Sequence, residues 1–210
     1  MWGTTKAIND ACVCAAGTGD ITVFQTLMAT GYALPLANPA ICMLAARSGH
    51  LDTLRWLREN GFAWDGVTTA ACAQCSWFKE SHAYPPMTPD ELAVELEGNK
   101  KRMECLRWAV GHGCPFDSAV VAGTIAIDME TAEWLLPFLP LPYDGEQFYS
   151  ALTIHDISTW RWGLTHGIIP PHKLTIMTDD NQTTAEAREK WQLVVDFWNV
   201  TYGKELASKM

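Results

Sequence analysis

The chain reads as an all-α protein, an α-solenoid of about five helix-turn-helix repeats with short finger loops and a C-terminal capping helix. Three observations predict this. Ala15-Ala16-Gly17-Thr18-Gly19-Asp20-Ile21 recurs 30 residues later as Ala45-Ala46-Arg47-Ser48-Gly49-His50-Leu51. With the apolar residue that opens the second helix of each unit as a marker, at Ile21, Leu51, Met103, Met129 and Ile157, a glycine stands ten residues later at Gly31, Gly61, Gly113 and Gly167. A tryptophan stands five residues after the marker in four units, at Trp56, Trp108, Trp134 and Trp162. Self-similarity at a period of 20 to 50 residues identifies small units that bury their apolar faces only by stacking.

The markers are 30, 52, 26 and 28 residues apart, so the third unit carries an insert of roughly 22 residues over the 30-residue spacing, placed at about residues 77–100. The repeat array is expected over residues 1–170 and a capping segment over 171–210.

Each second helix is amphipathic on a wide arc. In unit two Leu51, Thr53, Leu54, Trp56 and Leu57 fall together, against Asp52, Arg55 and Arg58. In unit three Met103, Cys105, Leu106, Trp108 and Ala109 stand against Glu104 and Arg107. At 100° per residue the apolar arc exceeds a half-turn, as for a helix held between neighbours, and this predicts that Trp56 and Trp108 are wedged between units. The pairs Asp52/Arg55 and Glu104/Arg107 have the spacing of surface ion pairs. The glycines ten residues past the marker suit the left-handed turn that ends a helix. His112 and His166 precede two of them, where Thr30 and Asn60 stand elsewhere, and the negative end of a helix favours imidazolium there.

Inside the insert, Thr88-Pro89-Asp90-Glu91 followed by Leu92, Leu96 and Gly98 predicts a short helix with an N-cap, a first-turn proline and a glycine stop. After Pro170-Pro171, Thr183-Thr184-Ala185-Glu186 starts a helix carrying Trp191, Val194, Val195 and Trp198 and ending near Gly203. That helix covers the last apolar face of the array.

Seven cysteines include Cys12-Val13-Cys14 and Cys72-Ala73-Gln74-Cys75. Cys12, Cys42 and Cys72 recur at a spacing of 30, which makes them one core position in successive units, and Cys105 falls where Val23 and Thr53 fall. A zinc site needs ligands converging from two close pairs, and only His82 and His112 could serve as the second pair. The expectation is free buried thiols, with no metal and no cofactor.

A net charge of −9 leaves Lys100-Lys101-Arg102 as the basic run, so no nucleic-acid partner is expected. Hydrophobic residues at 48% and charged residues at 19% fit a globular chain. The N-terminus lacks the charged start and apolar core of a signal peptide, and the apolar stretch from Trp134 is broken by Pro137 and Pro140. No membrane partner is expected. An odd cysteine count suits a reducing compartment, so the expected location is cytoplasmic and the expected state a monomer.

Ala45-Ala46-Arg47-Ser48-Gly49-His50-Leu51-Asp52-Thr53-Leu54 resembles the inner-to-outer helix turn of ankyrin repeats, and Gly61 matches that family's helix-ending glycine. The chain looks most like the degenerate, tryptophan-bearing ankyrin repeats of large DNA viruses and some protists. It departs from the family in having Ala40-Ile41-Cys42-Met43 where a Thr-Pro-Leu-His opening stands, and a spacing of 30 where about 33 is usual, which shortens the fingers. The resemblance implies a stack of helix pairs whose concave side, formed by inner helices and fingers, binds a protein, in host-factor or substrate recruitment.

The finger positions 13 or 14 residues past the marker are Trp64-Asp65, Phe116-Asp117 and Tyr143-Asp144. With Trp77, Phe78 and Tyr84 of the insert they form the candidate partner-binding set, since aromatic residues supply much of interface energy. The competing account is that each aromatic packs between fingers while each aspartate caps the next inner helix. The sequence holds no phosphate-cradling glycine loop, no activated-serine motif and no convergent carboxylate pair, so no catalytic residue is assigned. The expected function is a non-enzymatic interaction module. The alternatives are an assembly protein that oligomerises through its C-terminal helix and a metal protein built on Cys72, Cys75, His82 and His112.

Overall fold

The computed structural model describes residues 2–73, 88–125, 127–139, 162–163 and 165–166, and every helix-forming stretch among them is α-helical or a short 3-10 turn. The elements are α1 (Trp2–Thr18), α2 (Ile21–Ala29), α3 (Pro39–Arg47), α4 (Leu51–Glu59), α5 (Gly66–Ala73), α6 (Pro89–Gly111), α7 (Ser118–Ile125) and α8 (Met129–Leu135), with a 3-10 turn over Leu136–Phe138. Trp77, Phe78, Tyr84, Cys75, His82, Tyr143, Asp144, the Ile157 marker and the C-terminal helix lie outside the described residues.

The architecture is repeat-like. The inner helices α1, α3, α5 and α7 pack one on the next in chain order, and α2, α4 and α8 each pack on the inner helix that precedes them. The C-terminal part of α6 completes the third pair against α5 and also touches α3 and α4. The cause is visible in each sequence unit. Small residues at Ala15, Ala16, Ala45 and Ala46 are buried and let inner helices approach, while Phe24, Leu54, Leu57 and Leu106 on the outer helices fill the space behind them.

Caps set the boundaries. Asp20, Asn38 and Asp128 accept the backbone N–H groups of Thr22, Ala40 and Glu130 at 3.0, 3.1 and 3.1 Å, which fixes the starts of α2, α3 and α8. The markers Ile21, Leu51 and Met129 are the first residues of their helices. Gly31, Gly61 and Gly113 are left-handed, with φ of 77°, 81° and 82°. The predicted glycine stops at these three positions are therefore present.

Units interlock at their inner-to-outer turns. His50 makes no cap bond to its own helix; its Nε2 lies 3.2 Å from the Gly17 carbonyl of the preceding unit. Thr53 Oγ1 donates to the Gly19 carbonyl at 3.1 Å. One unit on, Lys101 takes the same place over Gly49, where a Cβ would stand 2.6 Å from that of Lys101. Gly49 has no alternative, because its φ is also +74°.

Two expectations are corrected. The predicted stop at Gly98 is absent: α6 runs unbroken from Pro89 through Met103 to Gly111. Its start does carry the predicted cap, a reciprocal Thr88/Glu91 box with proline in the first turn. Asn99, Lys100, Lys101 and Arg102 continue the helix, and ion pairs Lys101–Glu97 at 3.6 Å and Arg102–Glu95 at 3.4 Å lie along it. The second correction concerns the depth of Trp56 and Trp108: each meets an aromatic ring of the preceding unit, Phe24 or Trp64, as expected of a residue between units, yet each is only half-buried. The buried face of α4 is Thr53, Leu54 and Leu57, and Trp56 stands at its edge with its ring 5.5 Å from Phe24 of the preceding unit.

Candidate partner-binding surface

The fingers are held by the helices they precede. Asp65 Oδ1 accepts the Val67 N–H at 3.0 Å, and Asp117 Oδ1 accepts the Val120 N–H at 3.1 Å. Both aspartates thus cap inner helices, α5 and α7. Cys114 Sγ donates to the Asp65 carbonyl at 3.3 Å and Thr69 Oγ1 to the Pro115 carbonyl at 2.7 Å, so the second and third fingers are tied together. The first two are joined by the Ala63 N–H, which donates to the Leu36 carbonyl at 2.7 Å. Trp64 and Phe116 are half-buried against the core. On this ordered edge Leu36 is 42% and Val67 57% exposed.

A groove of about 490 Å³ opens between the C-terminal ends of α4 and α6, lined by Arg55, Arg58, Glu59, Trp64, Trp108 and His112. Trp64 and Trp108 meet edge to face, with ring centroids 5.7 Å apart. The Arg58 guanidinium lies 4.1 Å over the Trp64 ring and also donates to the Phe62 carbonyl, which fixes it. Arg55 reaches to 6.0 Å from the Trp108 ring and is otherwise paired with Asp52 at 3.8 Å. His112 stacks on Trp108 at 4.3 Å while its Nδ1 lies 2.7 Å from the Trp108 carbonyl.

That last contact belongs to a series. Thr30 Oγ1 donates to the Thr26 carbonyl at 2.9 Å, Asn60 Nδ2 to the Trp56 carbonyl at 2.8 Å, and His166 Nδ1 lies 2.9 Å from the Trp162 carbonyl. In four of the five units the residue nine past the marker adds a side-chain bond to the carbonyl of the residue five past it, a carbonyl that also accepts the same residue's backbone N–H at 3.0 to 3.1 Å; in unit four the position is Phe138, which has no such donor. The histidines therefore have a hydrogen-bonding role at the helix end. The four-residue spacing of tryptophan and histidine was in the sequence; its meaning was not, because a side-chain bond to backbone leaves no mark on apolar periodicity.

A second cavity of about 380 Å³ lies on the outer face, lined by residues of α6 and the turn before α8, including Leu96, Met103, Arg107 and Asp128. Arg107 is engaged there, donating to Thr131 Oγ1 at 2.7 Å and pairing with Glu130 at 3.3 Å and Asp128 at 3.7 Å. It latches α6 to α8 and does not make the expected pair with Glu104.

Cys12, Cys42 and Cys72 are each fully buried at equivalent places on α1, α3 and α5, and Cys105 and Cys114 are buried behind them. Burial pushes the thiols of Cys42, Cys105 and Cys114 up to about 12, and that of Cys72 well above its ordinary range. A neutral, desolvated thiol is a poor nucleophile and a poor metal ligand. Among the described residues no three His, Cys, Asp or Glu side chains come together as a metal site, and no helix is long and apolar enough to cross a membrane.

Comparison with family models, with curated proteins and with solved structures finds no match.

Proposed function

We propose that the chain is a non-enzymatic protein-protein interaction module, a degenerate ankyrin-like solenoid that takes a protein partner on the side made by its fingers and inner helices. The observation that carries this reading is the exposure of Leu36, at 42%, on the first finger and of Val67, at 57%, in the first turn of α5, beside fingers joined by the Ala63–Leu36 backbone bond and anchored by the Asp65 cap. Apolar side chains held out by ordered backbone bury area on a partner with little further loss of conformational freedom. Asp65 and Asp117 act as caps in this reading, and the contact falls to Leu36, Val67 and the exposed edges of Trp64 and Phe116. The module works as a monomer in a reducing compartment, where its buried thiols remain thiols.

Affinity capture with the intact chain, followed by quantitative rebinding of the captured partner, tests the reading. A Leu36→Ser/Val67→Ser variant should bind about 30-fold more weakly, the loss of about 2 kcal/mol typical of a truncated anchor. A Glu104→Lys variant should bind as the parent does. The reading fails if the charge-reversed variant loses the partner and the serine variant, folded by thermal melt, keeps it.

A further inference from the structure

We propose that the groove between the ends of α4 and α6 is a second contact site on the partner, one that takes a single carboxylate next to an apolar or aromatic side chain. This deepens the interaction reading and rests on it. The floor of the groove is the Trp64–Trp108 pair at 5.7 Å, with Arg58 over one ring and His112 stacked on the other, so an apolar or planar group meets the floor beside these two side chains. The donors stand on its rim. Arg58 is immobilised by its stack on Trp64 at 4.1 Å and by the Phe62 carbonyl, so its fork loses little freedom on binding. Arg55 is the available cation: its pairing with Asp52 is long, at 3.8 Å, and Asp52 is 91% exposed, so an incoming carboxylate displaces that partner at little cost. His112 is held by its bond to the Trp108 carbonyl and its stack on Trp108, with Nε2 on the far side of the ring from the bonded nitrogen.

The acidic residues decide the class of ligand. Glu59 lines the groove and Asp52 stands beside Arg55, so a polyanion meets repulsion from both, in keeping with the net charge of −9. One carboxylate between Arg55 and Arg58, with its neighbour's side chain beside the tryptophans, takes the place of Asp52 on Arg55 and brings one negative charge near Glu59 where a polyanion brings several. Trp64 belongs to the finger as well as to the groove, so the groove continues the edge that carries Val67.

The test uses the full chain and blocked synthetic hexapeptides that place one glutamate between phenylalanines, with glutamine and bis-glutamate versions for comparison, read by tryptophan fluorescence and by anisotropy of a labelled peptide. The mono-glutamate peptide should bind at least tenfold more tightly than the glutamine version and more tightly than the bis-glutamate one. Arg55→Gln should remove that preference, and Arg47→Gln, an exposed arginine on α3 away from the groove, should leave it. Equal binding of the glutamate and glutamine peptides, tightest binding of the bis-glutamate peptide, or a preference that survives Arg55→Gln overturns the proposal. A charge preference lost in Leu36→Ser/Val67→Ser but kept in Arg55→Gln overturns this groove alone and leaves the finger reading standing, whereas a captured partner insensitive to the finger variant removes the finger reading itself.

Discussion

Leu57 is fully buried and Trp56, its neighbour on α4, is half-buried, although both fall on the same apolar arc of the sequence. The arc is visible in a helix; which part of it faces the core depends on the neighbouring units, which the pattern of one helix does not carry. Leu57→Ala should cost about 2 to 5 kcal/mol and Trp56→Ala less than that, in urea melts of the two variants. An equal or larger loss at Trp56 would place it as deep in the core as Leu57. The thiols were legible for a different reason: a shared position at a spacing of 30 can hardly be anything but packing, and Cys12, Cys42 and Cys72 are all buried. Their pH consequence follows from the direction of the shift. With folded values near 12 at Cys42, Cys105 and Cys114 against an ordinary 9.0, the unfolded chain releases these protons first as pH rises. Stability from these groups is therefore fully present below about pH 8 and falls progressively between about pH 9 and pH 12. Alkaline melts of the parent and of Cys42→Ala/Cys105→Ala should show a shallower decline over that range in the variant, and thiol-reactive reagents should label these positions at pH 8 only on unfolding.

Helix α6 shows how a single residue type carries two meanings. Gly98 and Gly113 look alike in the sequence, each following an apolar run, yet Gly113 is left-handed at φ of 82° and Gly98 is inside a continuous helix with no atom near an added Cβ. The start of the helix was readable because the Thr88/Glu91 box is a local signal; its continuation depends on Lys101 and Arg102 being held against the Gly49 turn, a contact between units. Replacement by alanine separates the two cases. Gly98→Ala should raise stability by about 0.5 to 1 kcal/mol, since alanine is the better helix former, and Gly113→Ala should lower it by about 1 kcal/mol. Loss of stability at Gly98 would mean that the helix does end there.

Over the whole molecule the period was legible and the partner was not, because recurrence reports the packing of units and says nothing of the chemistry on their edge. A chain whose units touch mainly their neighbours should respond locally to damage. Phe24→Ala, which opens the core of the first pair, should speed hydrogen exchange in peptides from α1 and α2 while peptides from the C-terminal part of α6 and from α7 keep their protection. Uniform loss of protection would mark a single cooperative body. The series Thr30, Asn60, His112 and His166 bears on the ancestry of such a chain. Every one of these residues bonds a carbonyl four positions back in its own helix, so the closing turn of these four units is reinforced from within. A duplicated or deleted unit therefore brings or removes this bond whole, donor and acceptor together. The joins that such a rearrangement must remake are those between units, where His50 reaches back to Gly17 at a turn and Ala63 to Leu36 at a finger. Copy number in this array is thus limited by the fit of turns and fingers across unit boundaries and not by the helix ends, and at the turn of the third unit Lys101 over Gly49 makes that fit.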